Sequence, residues 1–240
     1  MYIKMDDDIV NSPHSSLIPT NTLQVFMEDT AIPSIVKRRY EHPEYLVVSS
    51  NSLNQPAITW VHYHLNAMKP YLPETTPPPG FDPEAPPAPA WRASELPIWT
   101  GPENYTISED DVAPFKGHRW LPLPPGSDID KTPAHVVDYY AAGAGFHSWV
   151  VGAQTHYSFL ENLEKEELWR YKFDLWDYHY DRLSINFIAF MGEDIQDNLP
   201  IAASDEWYLT KFLPEKLGRR KLIPSFEFQG FELMVYRCCA

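Results

Sequence analysis

The chain has almost no cysteine. Its two, Cys238 and Cys239, are adjacent at the end, and neighbouring thiols there frame neither a disulfide scaffold nor a zinc site. Basic residues are also scarce: 19 Lys and Arg stand against 33 Asp and Glu, a formal net charge of −14 over 240 residues. That balance argues against nucleic acid or an anionic membrane surface as partner. It also means that a diphosphate ligand would need a local cation, either a metal ion or clustered Arg and Lys. No apolar run reaches the roughly 18 residues of a membrane-spanning helix, and no signal peptide is visible. What is present is enough apolar side chain, 44%, to build a core, and length for one domain or two small ones.

Tyr2-Ile3-Lys4-Met5 reads as a core strand running directly into Asp6-Asp7-Asp8. A domain seldom opens on such a strand, so the natural start is expected upstream and the chain reads as an N-terminally truncated fragment. A helix is expected over about Asp29 to Glu41. Asp29 or Thr30 would cap it, Pro33 falls in its first turn, and Ile32, Ile35, Val36 and Tyr40 form an apolar stripe. Lys37, Arg38 and Arg39 sit in the last turns, where cations complement the helix dipole. Tyr45 to Ser49 then reads as a buried strand, and strand–helix–strand predicts a βαβ unit in an α/β sheet. Between first strand and helix, Asn11 to Gln24 is polar and aperiodic, unusual beside a functional motif. Val10 to Gln24 reads as a retained intron: a Val codon begins GT, a Gln codon can end CAG, and the length is a whole number of codons. Transcripts crossing this region without a splice junction would refute that reading.

Residues 70–125 hold 15 of the 24 prolines. The stretches around Pro77-Pro78-Pro79-Gly80 and Ala85 to Pro89 exclude helix and interior strand. Trp91, Trp99, Tyr105, Phe115 and Trp120 punctuate the segment. It therefore reads as an extended excursion pinned by aromatic rings, with polyproline geometry between the pins. Further on, Ser148 to about Trp169 predicts the strongest helix, with Trp149, Ala153, Tyr157, Leu160, Leu163 and Leu168 as its apolar stripe and Glu161, Glu164, Lys165 and Glu167 between them. Ser184 to Phe190 predicts a core strand ending at Met191-Gly192-Glu193-Asp194. Another helix is expected from Ser204 or Asp205, punctuated by Pro214 and Gly218.

The aspartate trio is the main chemical signal. Carboxylates are hard oxygen donors suited to Mn²⁺ or Mg²⁺. Three in a row repel one another, a cost best tolerated where a cation offsets it. They also follow a strand, and the carboxyl ends of strands in α/β sheets are where ligands bind. A solvated acidic turn is the alternative for a bare run of acids.

Residues 2–10 resemble the strand-plus-DxD element of GT-A glycosyltransferases, including Lys4 two residues before the cluster. The segments Arg39 to Tyr45, Asn54-Gln55-Pro56, Trp60 to His64, Gln154 to Asn162 and Arg182 to Phe187 are similar to uncharacterised fungal proteins of this glycosyltransferase-like kind. The resemblance spans most of residues 1–222. It implies a partial GT-A (nucleotide-diphospho-sugar transferase-like) mixed sheet with flanking helices: residues 1–69 as the DxD part, 11–24 as the possible insert, 70–125 as the Pro-rich excursion, 126–224 as the rest of the domain and 225–240 as a divergent tail. It further implies transfer of a sugar from a nucleotide-sugar donor to an acceptor hydroxyl, with Asp8 and Asp6 as metal ligands and Asp6, Asp7 and Lys4 on the donor. Asp194, with Glu193 second, would act as general base. A secretory-pathway location is likewise only what the resemblance implies.

Two features depart from that pattern. The base-binding βαβ elements that precede a DxD strand are missing, and no histidine follows His179 to serve as a late metal ligand. A non-catalytic remnant or binding module on the same scaffold is therefore the second reading. The third is a metal-dependent hydrolase that adds His62 and His64 to the aspartates. On a strand those two histidines would face one side, whereas on a helix they would diverge. His156 reads as a packed helical histidine. Arg182, Arg219 and Arg220 are candidate phosphate partners, with surface solvation the plainer role for the last two. The acids Glu193 and Asp194 read equally well as a helix start.

Overall fold

A computed structural model of the chain describes residues 1–5, 24–26, 31–53, 56–84, 92–107, 113–133, 149–173, 175–180, 185, 187–202, 204–219, 221–224 and 232–235. Two compact units divide it, Met1–Ile58 with Lys172–Arg237, and Thr59–Tyr171 with Cys238–Ala240. Asp6 to Asp8, residues 10–23 of the suspected insert, the caps Asp29 and Thr30, Trp91, Arg182 and Arg220 lie outside the described residues.

The first unit is built on a five-stranded mixed sheet. Its strands are β1 (Tyr2–Met5), β3 (Val47–Ser49), β7 (Trp176–Asp177), β8 (Phe187–Phe190) and β9 (Lys221–Pro224), in the order β1-β8-β3-β9-β7. β8 runs antiparallel to both β1 and β3, and β9 runs parallel to β3. β1, β3 and β9 therefore all point the same way. The expected strand–helix–strand unit is thus present in direction, but β8 separates its two strands. Alternate residues of β8 face opposite layers. Phe187 and Ala189 pack with Val48 and with Ile35 of α1 (Ala31–Glu41), while Ile188 and Phe190 pack with Val47, Leu209 and Leu213. Burial on both faces explains why this strand reads as one continuous apolar run.

The helix over the second face comprises α5 (Asp205–Trp207), a π-helical turn (Tyr208–Phe212) and α6 (Leu213–Leu217). Gly218 ends it at φ +65°, a left-handed conformation that glycine adopts without steric penalty. A second sheet has the order β2-β10-β4, from Gln24–Phe26, Glu232–Val235 and Ser52–Leu53. Each of the three like-directed strands of the first sheet is followed in sequence by a strand of the second: β1 by β2, β3 by β4, β9 by β10. Part of the tail expected to diverge thus supplies the central strand of that sheet.

Two expected helical faces are corrected. In α1, Ile32 and Tyr40 are exposed and Arg39 is wholly buried. Arg39 lies four residues after Ile35, on the same face, and its charge is met by an acid from elsewhere in the fold. In the second unit, α3 (Trp149–Glu164) buries Gln154, Ser158, Glu161 and Asn162 while Leu163 is exposed. The reason is the loop that follows α2 (Pro56–His64). Its backbone groups need partners, and a polar row at i, i+4 and i+8 supplies them. Gln154 Nε2 donates to the Lys69 carbonyl at 2.7 Å, the Lys69 N–H donates to Ser158 Oγ at 2.9 Å, and Asn162 Nδ2 donates to the Ala67 carbonyl at 2.7 Å. α3 also stops before the expected Trp169. Glu166 turns to φ +57°, and the Glu167 N–H closes onto the Asn162 carbonyl. The chain resumes as a 3₁₀ turn, Leu168–Tyr171.

The proline-rich stretch belongs to the second unit. Its ends pair as β5 (Tyr71–Pro73) and β6 (Trp120–Pro122), a two-stranded ladder in which both strands are edges and proline is tolerated. Trp99 Nε1 donates to the Pro73 carbonyl at 3.0 Å, Tyr105 stacks beside Trp99, Phe115 meets Phe81 edge-on, and Trp120 is buried against Val150 and Ala153. Gly101 lies so close to the Trp99 ring that a Cβ there would overlap it. Gly101→Ala should therefore push Trp99 off the Pro73 carbonyl and destabilise the unit by about 1–3 kcal/mol. Urea titration followed by tryptophan fluorescence measures that loss, and an unchanged midpoint would show that the ring does not pin the segment.

Candidate functional site

The sheet has two chemically different ends. At one end the parallel strands finish: Met5 pairs with Phe187, Ser49 pairs with Ile188 on one side and Pro224 on the other, and the Ser50 N–H donates to the Phe187 carbonyl at 2.9 Å. This is the end from which the chain leaves Met5 towards Asp6. It is also where the described pair Ser50–Asn51 leads from β3 to β4 of the second sheet. Ser49, Ser50 and Asn51 form a buried polar run, and Ser49 Oγ donates to the Ser50 carbonyl at 2.8 Å. The Lys4 backbone pairs with Ile188 within the same ladder.

The opposite end holds Asp194. It lies in α4 (Gly192–Gln196), four residues beyond Phe190, and Phe190 pairs with Tyr2. Glu193 and Asp194 fill the first turn of this short helix, and Glu193 is exposed. Asp194 Oδ2 faces Arg39 Nη2 at 3.5 Å, and its Oδ1 faces Arg219 Nη1 at 3.2 Å. The Arg39 side chain is 0% exposed, that of Asp194 14% and that of Arg219 38%. Arg39 Nη1 also donates to the His42 carbonyl at 2.7 Å. Burial pulls the Arg39 guanidinium below its usual range, and the Asp194 charge opposes that pull. The three residues tie the last turn of α1, the start of α4 and the approach to β9 into one clamp.

The structure thus gives Asp194 a setting different from the expected one. A general base needs an oxygen within hydrogen-bond reach of the acceptor hydroxyl, and both oxygens of Asp194 face guanidinium groups. The ladder of four residue pairs is also about 10 Å long, with the chain's route to Asp6 at its far end. Arg219, expected at a phosphate or in solvent, is a member of the clamp. Sequence reasoning missed Arg39 because its Lys-Arg-Arg context looks like a solvated helix end. The spacing from Ile35 was the one available signal.

His62 and His64 lie on α2 and diverge, His62 fully buried and His64 exposed. The His62 ring meets Tyr171 edge-on at 4.9 Å between centroids, and burial pushes its pKa down to about 3. Burial also lowers His156 and His118. The shared His62–His64 metal site that the hydrolase reading requires is therefore not formed, and among the described residues no group of three or more His, Cys, Asp or Glu is arranged to hold a metal ion. A cavity of about 150 Å³ in the second unit is lined by Tyr63, His64, Asn66, Met68 and Ile129, below the ~300–1,000 Å³ of ordinary ligand pockets. Among the described residues no helix is long and apolar enough to cross a membrane. No family model, curated protein or solved structure matches the chain.

Proposed function

We propose that the chain carries the metal- and donor-binding part of a glycosyltransferase-like protein, acting where β1, β3 and β9 end. One observation carries this reading. β1, which runs directly into Asp6-Asp7-Asp8, is a sheet strand parallel to β3 and β9, so the aspartates follow from the end of the sheet where α/β folds bind ligands. The donor set fits a hard divalent ion, with Asp8 and Asp6 as ligands and Asp7 and Lys4 towards the nucleotide sugar. When bound, Mn²⁺ or Mg²⁺ offsets the negative charge that grows on the departing diphosphate. In the transfer, the bond between the sugar's anomeric carbon and the diphosphate breaks and its electrons leave with the nucleoside diphosphate. The acceptor oxygen bonds to that carbon, and its proton passes to a base. The Arg-clamped Asp194 holds the sheet together in this reading.

Calorimetric titration with UDP- and GDP-sugars, with and without Mn²⁺, tests the proposal. Binding should require the metal and should weaken by about 100-fold or more when Asp6 and Asp8 are both changed to Asn. Metal-independent binding, or binding indifferent to the two changes, would remove the assignment. Metal-dependent binding without sugar transfer to any acceptor would favour the non-catalytic scaffold.

A further inference from the structure

The second unit carries a feature that the metal-binding reading does not use. Asn104-Tyr105-Thr106 is the one Asn-x-Ser/Thr triplet of the sequence, and its middle residue is not proline. That pattern is the acceptor signal for an N-linked oligosaccharide in the secretory lumen. Such triplets also arise by chance, so the structural setting decides. The transferase must reach both the asparagine amide and the hydroxyl two residues on, which calls for an accessible, irregular surface segment.

Both residues meet that requirement. The Tyr105 N–H donates to the Pro102 carbonyl at 2.9 Å, closing a turn over Pro102 to Tyr105 with Asn104 in its third position. Pro102, Glu103 and Asn104 are all exposed, Tyr105 is half-buried, and Thr106 is exposed again. Tyr105 packs beside Trp99 with ring centroids 5.5 Å apart, and Trp99 is itself tied to the Pro73 carbonyl. The middle residue of the triplet is therefore the anchor, while the two residues that the chemistry requires stay in solvent. Tyr105 to Ile107 belong to no helix or strand. Asparagine suits a turn for local reasons, but those reasons do not extend to Thr106, which lies beyond the turn.

We propose that Asn104 is N-glycosylated, and that the second unit accordingly faces the secretory lumen. The co-reactant is a lipid-diphosphate-linked oligosaccharide. Asn104 Nδ2 bonds to the anomeric carbon of its reducing-end sugar. The bond from that carbon to the diphosphate breaks, and its electron pair leaves with the lipid diphosphate. One amide proton passes to a base of the transferase. The inference needs neither the aspartates nor a metal, so it stands apart from the donor-binding reading.

The test uses the protein isolated from the cells that make it. Peptide-N-glycosidase in heavy-oxygen water releases an N-linked glycan and converts its asparagine to a labelled aspartate. The protein should move to lower apparent mass, and the label should sit at Asn104 in the tryptic peptide Ala93–Lys116. Produced in the same cells, Asn104→Gln and Thr106→Ala should each lose the glycan, whereas Thr106→Ser, which keeps the hydroxyl, should retain most of it. Thr106→Ala changes an exposed side chain and should leave the urea midpoint in place, so its loss of glycan is not a loss of fold. An unmodified Asn104 in the isolated protein overturns the inference, and so does a glycan that survives Thr106→Ala.

Discussion

Asp194→Asn should unfold the first unit at markedly lower urea, with a loss of about 3–5 kcal/mol. The carboxylate is the acid that faces the Arg39 guanidinium, which is 0% exposed and sits beside a second guanidinium, that of Arg219. Without it, one buried positive charge loses its counter-ion and meets another cation. Taking away one partner of a buried pair costs far more than replacing both by apolar groups, because the survivor stays buried and charged. The Arg39→Met/Asp194→Leu double variant should therefore be more stable than Asp194→Asn alone. A general base would behave differently: Asp194→Asn would then fold normally and lose only turnover. Urea midpoints of the three proteins separate these cases.

Stability should also fall as the pH drops below neutrality, and His62 should account for much of the slope. Its folded pKa of about 3 lies below the ordinary 6.5 because burial disfavours the imidazolium. Between those values the unfolded chain binds a proton that the folded chain does not. The contribution is therefore complete above about pH 6.5 and is lost as pH falls towards 3, at about 1.4 kcal/mol per pH unit. From pH 7 to pH 5 the loss is about 2 kcal/mol. His156 and His118 shift in the same direction and steepen it. The excess of acidic side chains works the other way, since protonating them relieves mutual repulsion. His62→Phe isolates the imidazole by keeping a ring against Tyr171. Relative to wild type, this variant should hold its stability as pH falls, and matching pH profiles would show that His62 is not the group responsible.

Local pattern disclosed much of this fold because it reflects local causes. The apolar run ending at Phe190, the helix punctuated by Pro33, and the Pro214 and Gly218 marks around the last helical segment each follow from residues close together in sequence. What stayed hidden depends on distant partners. Nothing near Gln154, Ser158 and Asn162 announces that they will satisfy the backbone at Ala67 and Lys69. Arg39 looked like one of three surface cations until Asp194, 155 residues away, was placed against it. Strand directions were equally invisible. A chain that reads strand, helix, strand does not reveal that β8 will enter between its two strands, antiparallel to both, and carry Asp194 to the end opposite the exit of β1. The aspartate motif was legible from the residues alone, whereas the shared direction of β1, β3 and β9 emerges only once the sheet is assembled.

Paramagnetic broadening by Mn²⁺ added with a nucleoside diphosphate is the most direct measurement. The backbone amides of Ser49, Ser50, Asn51 and Phe187 should broaden first, with those of Glu193, Asp194 and Arg219 persisting to higher metal. Broadening centred on Asp194, or spread evenly over the surface, would contradict a ligand site at the end of the sheet where β1, β3 and β9 finish.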